Sequence, residues 1–356
     1  MATLFEPLSF AHGPTAKNRF ALAPLTNMQS HVDGTLSDDE FRWLTLRAAG
    51  GFGLTMTCAA NVSRGGPGVL GNLGIYADTH IDGLKRLAED IKRQDSVAVM
   101  QLFHAGARAP IALTGQQPIG PSDDESSGVR GMSGADVEQM IEDFIAAARR
   151  AEQAGFDGVE LHAAHGYLLS AFLSPELNRR QDQYGGSPEN RARPIRTIIT
   201  GIRQRCGSQF SLGLRLSAER FGVEVIDMQD LARDVMAEGA IDYLDMSLWD
   251  VFKEPAEERL QGRSLMSYFT ELNRGKVRLG VAGKIMSGAH AAACLDAGAD
   301  FVLIGRAAIA HHDFPKQVRK NPDFNSLAFP LEQAYLESQG VTPVFYDYLT
   351  GLLRYM

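Results

Sequence analysis

A single closed (β/α)8 barrel, the TIM-barrel class, is the fold this sequence predicts, and three observations carry the expectation. Short apolar runs alternate with longer amphipathic segments along the whole chain, the pattern of parallel strands joined by helical crossovers. The short runs number eight, the closure count of such a barrel. No G-x-G-x-x-G turn follows the first of them, which favours the barrel over the doubly wound sheet that the same alternation allows.

The strands are expected at Phe20–Pro24, Leu54–Ala59, Val97–Phe103, Gly158–His162, Ser211–Leu216, Tyr243–Met246, Val277–Ala282 and Phe301–Ile304, several flanked by Gly or Pro. Helical periodicity places Asp38–Ala49 behind an N-cap Ser37, then Asp82–Arg93, then Asp136–Ala154 behind Ser133. Further helices are expected at Asn190–Arg205, Met228–Glu238 behind Asp227, Leu265–Arg274 and Ala289–Ala297. The segments that follow strands are long: Ala60–Thr79, Ala105–Ser133, Ala163–Glu189 and Leu248–Ser264. Such segments form the C-terminal mouth of a barrel, where the chemistry of this fold sits.

A length of 356 residues suits one insertion-bearing barrel domain over 1–356. Its tail, from about 329 to 356, carries Phe345, Tyr346, Tyr348 and Tyr355 and would pack on the barrel or on another subunit, so a homo-oligomer stays open. The charge balance, 35 basic against 43 acidic residues, is −8, and no basic run exceeds a pair such as Arg149-Arg150, which argues against nucleic acid as a partner. Cys58, Cys206 and Cys294 are far apart and form no CxxC, so neither a disulfide frame nor a metal cluster is expected. With no basic-then-apolar N-terminal segment and no run of 18 apolar residues, neither secretion nor a membrane span is expected, and the cytoplasm is the default location.

Candidate chemistry gathers at strand ends. Gly283 after the seventh strand and Gly305-Arg306 after the eighth stand where barrels hold phosphate, since glycine lets backbone N–H groups approach an anion and Arg306 adds a charge-assisted pair; plain turn glycines are the alternative. The fourth strand runs Glu160-Leu161-His162-Ala163-Ala164-His165-Gly166-Tyr167. Period-2 alternation turns Glu160 and His162 inward, and His165 and Tyr167 follow at the mouth. Two imidazole donors could hold a carbonyl oxygen as it gains charge, and a protonated phenol could act as general acid. A metal site with Glu160 as third ligand is the competing functional reading, though the order differs from the helical H-E-x-x-H of zinc proteases. Two core histidines satisfied by their neighbours are the structural one. Arg215, alone in an apolar run, needs a partner, and Glu160 on the adjacent strand is the expected one. Gln101 and Thr26 are rim groups able to address the amide-like edge of a flat ring.

These residues are familiar. The run His162 to Leu168, continued through Phe172-Leu173-Ser174-Pro175, Asn178-Arg179-Arg180, Asp182 and Tyr184 to Arg191, resembles the Old Yellow Enzyme family of FMN-dependent ene-reductases. Lys17-Asn18-Arg19, Pro24-Leu25-Thr26, Gln101 to Gly106, and the Gly283 and Gly305-Arg306 turns extend the resemblance from about Leu4 to Pro315. It implies FMN across the mouth, the isoalloxazine met by Pro24, Thr26, Ala59, Gln101 and Arg215, and the phosphate by Gly283, Gly305 and Arg306. It further implies NADPH or NADH as hydride donor and an α,β-unsaturated carbonyl compound as small-molecule substrate, held by His162 and His165 and protonated by Tyr167. Relatives with an iron–sulfur cluster carry a cysteine cluster that this chain lacks, so a nicotinamide would reduce the flavin directly. A barrel lyase or isomerase acting on a phosphorylated small molecule, and a non-enzymatic flavin carrier, are the rival classes.

Overall fold

In a computed structural model that describes residues 3–353, eight parallel strands close into the expected barrel. They are β1 (Phe20–Leu22), β2 (Leu54–Asn61), β3 (Val97–Phe103), β4 (Gly158–Ala163), β5 (Ser211–Ser217), β6 (Tyr243–Ser247), β7 (Arg278–Ala282) and β8 (Phe301–Ile304). Each pairs with its neighbour in sequence, and β1 completes the ring against β8 with Phe20 opposite Val302. The first ladder is shorter than the apolar run because Pro24 has no N–H to give; Ala23 N–H still donates to Ile304 O at 3.1 Å. Asn18 ties the start of β1 to β2, its Oδ1 accepting from the N–H groups of Phe20 and Gly53 at 3.0 and 3.1 Å.

The crossover helices are α1 (Asp38–Ala49), α2 (Ile81–Arg93), α3 (Gly134–Gln153), α4 (Pro188–Arg205), α5 (Val225–Glu238), α6 (Ser267–Thr270) and α7 (Gly288–Asp296). Ser37 caps α1 by accepting from Glu40 N–H, and Ser133 with Asp136 forms a capping box on α3. Two expectations fail. Asp227 is not an N-cap: α5 begins at Val225, and Asp227 in its first turn accepts from the buried Arg191 at 2.6 Å, a charge-assisted bond that outweighs capping. The helix expected over Leu265–Arg274 shrinks to Ser267–Thr270, because the chain continues in single turns toward Gly275, whose φ of +55° it needs to reach β7. After β8 a short helix, Arg306–Ala310, precedes Phe314–Lys320. The tail helix Pro343–Leu353 packs on α1, where Phe345 meets Trp43 edge-on at 4.9 Å. Arg47 of α1 donates to Gln339 O at 3.0 Å and fastens the same contact. Tyr355 lies outside the described residues, and among those residues no helix is long and apolar enough to cross a membrane.

Side-chain alternation fills the barrel in layers. Its lower half is apolar, with Ala21, Leu54, Met56, Val97, Val99, Tyr243, Phe301 and Leu303 in one cluster, closed from below by Phe10 on Tyr243 and Phe301. Large residues face glycines: a Cβ on Gly213 would lie 2.1 Å from Tyr243 Cζ, and one on Gly280 2.4 Å from Phe301 Cζ. We expect Gly213→Ala to lower stability by about 1–3 kcal/mol through overpacking, read as a lower denaturant midpoint. An unchanged midpoint would mean that Tyr243 has room to move.

Candidate active site

Above the apolar layers lies a buried polar one built by inward residues of four consecutive strands: Gln101 (β3), Glu160 (β4), Arg215 (β5) and Asp245 (β6). Arg215 stands level with Asp245 in the β5–β6 register, its Nε 2.9 Å from Asp245 Oδ2. The expected partner, Glu160, is level with Gly213 two residues lower, and its Oε1 instead accepts from Gln101 Nε2 at 2.7 Å. The correction is geometric: adjacency of strands did not settle height along them, and parallel register did. Burial pushes the Glu160 and Asp245 carboxyls above the usual range, while the nearby Arg215 charge pulls both back down. Glu160 Oε2, Arg215 Nε and both Asp245 oxygens lack an aligned hydrogen-bond partner.

At the mouth end of β4 the structure brings His162, His165 and Tyr167 together. The two imidazole centroids are 5.0 Å apart, and the Tyr167 ring lies 5.3 Å from His162. The strand is reversed by His165 and Gly166, both left-handed at φ +63° and +71°. A non-glycine residue there is a strained choice typical of functional sites. His162 Nδ1 accepts from Ala164 N–H at 3.3 Å, which leaves the ring proton on Nε2 as a donor. Ser247 Oγ lies 2.7 Å from His165 Nε2; donating there, it leaves the proton on Nδ1. Burial, helped by the Arg215 and Arg108 charges, holds both imidazoles neutral, His165 down to about 3 and His162 well below its ordinary value. Phe103 packs on Tyr167 at 4.6 Å, and Ala59 joins the same small cluster beside a register shift in β2.

The remaining expected residues ring the opening. Pro24 and Thr26 follow β1, half-buried. Gly283 takes φ +150°, and a Cβ there would press on the Trp249–Asp250 backbone at 2.8 Å. On Gly305 a Cβ would meet nothing closer than Leu25 Cδ2 at 3.7 Å, so that glycine leaves open a cradle that packing alone does not require. A cavity of about 840 Å³ opens beside it, lined by Asp250, Phe252, Lys284, Met286 and Arg306. An anion fits this end, and a flat ring with both acceptors and an N–H fits the Gln101 and Arg215 edge, where buried polar atoms still lack partners. Sequence reasoning missed Asp245, Ser247 and Tyr348. The first two follow from the same alternation that exposed Glu160 and His162, applied to β6. Tyr348 comes near enough to Thr26 and Tyr167 for both to act on its phenol, which burial pushes up, a position the spacing of tail aromatics does not encode.

Comparison with known proteins identifies the family and the fold. Residues 3–325 match the family model described as the NADH:flavin oxidoreductase / NADH oxidase family. The chain is 34% identical to a probable NADH-dependent flavin oxidoreductase, YqiG, of Bacillus subtilis over 96% of its length and 97% of the relative's. It is 35% identical to an NADPH dehydrogenase of Bacillus licheniformis, over 89% and 94%. The solved structure of an old yellow enzyme homologue from Zymomonas mobilis superposes with a TM-score of 0.81 at 26% identity, over 97% of this chain and 98% of that one. The chain therefore belongs to the NADH:flavin oxidoreductase / NADH oxidase family, that of Old Yellow Enzyme, with FMN as cofactor and NADH or NADPH as its reductant.

Proposed function

We propose that this protein is an ene-reductase, which uses NADH or NADPH to saturate the activated C=C bond of an α,β-unsaturated carbonyl compound. The observation that carries the reading is the convergence of His162, His165 and Tyr167 beside the buried Arg215 layer. When bound, FMN supplies the hydride chemistry, taking hydride from the nicotinamide and passing it to the β-carbon. Gln101 and Arg215 would hold its ring edge beside Pro24, Thr26 and Ala59, and Gly283, Gly305 and Arg306 its phosphate.

His162 and His165 would grip the substrate's carbonyl oxygen. Because both imidazoles are neutral, they act as hydrogen-bond donors whose grip tightens only as negative charge builds on that oxygen, so the gain falls on the transition state. Tyr167 would give its phenolic proton to the α-carbon and recover one from solvent. One C=C π bond is thus exchanged for two C–H bonds, with the hydride from NAD(P)H and the proton from water. Family membership sets aside the non-redox lyase, and turnover of an enone would set aside a flavin carrier. The tail belongs to the same functional unit on this reading, since Tyr348 comes near Thr26. Three unpaired cysteines fit a reducing compartment such as the cytoplasm.

Three outcomes are expected. Denaturing the purified holoenzyme should release FMN and not FAD, and Arg306→Ala should weaken flavin retention on dialysis. Phenolates should give a long-wavelength charge-transfer band over oxidised flavin; its saturating amplitude should not titrate with the histidines between about pH 6 and 8, because both are already neutral there. Replacing both histidines with Ala should abolish the band while the protein stays yellow. Finally, Tyr167→Phe should leave flavin reduction by NADPH near its parental rate and slow enone-dependent reoxidation roughly 10²–10⁴-fold in stopped flow. Equal slowing of both half-reactions would replace the acid role with a packing one, and no reoxidation by any enone would overturn the assignment.

A further inference from the structure

We propose that Arg108 binds a carboxylate on the substrate, so that the preferred substrate is an unsaturated carbonyl compound that also bears a carboxylate group. This rests on the ene-reductase reading and adds a substrate class to it. Arg108 ends the short turn Gly106–Arg108 after β3, and its guanidinium lies 5.1 Å from the Tyr167 ring centroid and 5.4 Å from that of Phe221. It is exposed, and among the described residues no carboxylate lies within ion-pair distance of it. Its charge is nevertheless felt at the site, since it is among the causes that keep His162 and His165 neutral. A cation posted between two aromatic faces beside the proton donor, and balanced by no acid, is a built position for an anionic ligand.

The surroundings hold it there. Gly106 is left-handed and so close to the next segment that a Cβ would meet Leu168 Cβ at 3.0 Å. Its N–H donates to His104 Nδ1 at 3.0 Å. Across the opening, Arg220, Phe221 and Gly222 are three consecutive left-handed residues, at φ +71°, +55° and +74°. Two of these are non-glycine, a strain the fold carries while Phe221 stands 6.2 Å from the His165 ring and under Arg108. A carbonyl oxygen on the histidines and a carboxylate on Arg108 would flank Tyr167, so the two contacts together would orient the alkene toward the phenol.

The test compares reduced holoenzyme and its Arg108→Ala, Arg108→Lys and Arg108→Glu variants with paired enones, neutral and carboxylate-bearing. For the parent, kcat/KM should favour the carboxylate-bearing partner. Arg108→Ala should lower that ratio about 10–100-fold, the worth of one charge-assisted pair, mainly through KM. Arg108→Lys should restore part of it, and Arg108→Glu should reverse it. Equilibrium titration of oxidised enzyme with hydroxybenzoates against phenol, followed by the charge-transfer band, should show the same loss of preference without turnover. A parental ratio near one, a ratio unmoved by Arg108→Ala, or a rise confined to the KM for NADPH would overturn the proposal. Failure to reduce any enone would instead strike the ene-reductase reading, and the titration would still decide for or against Arg108.

Discussion

A permanent positive charge inside the barrel is the constraint around which the rest is arranged. Arg215 sits 5% exposed on β5, and an unpaired guanidinium there would be prohibitively costly. Asp245 answers it from β6, and Glu160 and Gln101 extend the polar layer to β4 and β3. Two carboxyls and one guanidinium share a space with little water, so each stabilises or destabilises the others' charge, and none can be lost without stranding a neighbour. The layer divides the barrel: aromatic packing against glycines below, a mouth able to take polar ligand edges above.

Register carries that charge to the site. His162 is level with Arg215, so the residue that anchors the layer also bears on the first imidazole of the strand-end pair. Two left-handed residues then swing His165 and Tyr167 back over the opening, and Ser217 and Ser247, the last inward positions of β5 and β6, fix His165 by backbone and ring. Neutral histidines suit the proposed grip on a substrate oxygen. A charged pair would bind ground-state anions tightly, whereas neutral donors respond to charge as it develops.

The alternation of short apolar and amphipathic segments made the barrel legible, because crossovers between parallel strands leave a period that packing does not blur. The site was legible where one strand delivers several groups in sequence, as Glu160 through Tyr167 do. It became illegible where two strands must agree. Alternation points Arg215 to the acid on the strand before it, yet the acid at its own height is on the other side. Asp227 carried a sound capping signal that lost to Arg191, a residue 36 positions away.

Local chemistry in the sequence therefore determined the strand and helix succession, the inward faces, the His162–Tyr167 cluster and the glycine turns at 283 and 305. These depend on periodicity and backbone freedom, which act over a few residues. Tertiary structure alone decided that Asp245 holds Arg215, that Ser247 meets His165, that Tyr348 comes near Thr26, and that Arg108 stands over Tyr167 with no acid beside it among the described residues. Each of those is a meeting of segments from distant parts of the chain, set by barrel register and by how loops and tail fold back across the mouth, and neither is written in the spacing of neighbouring residues.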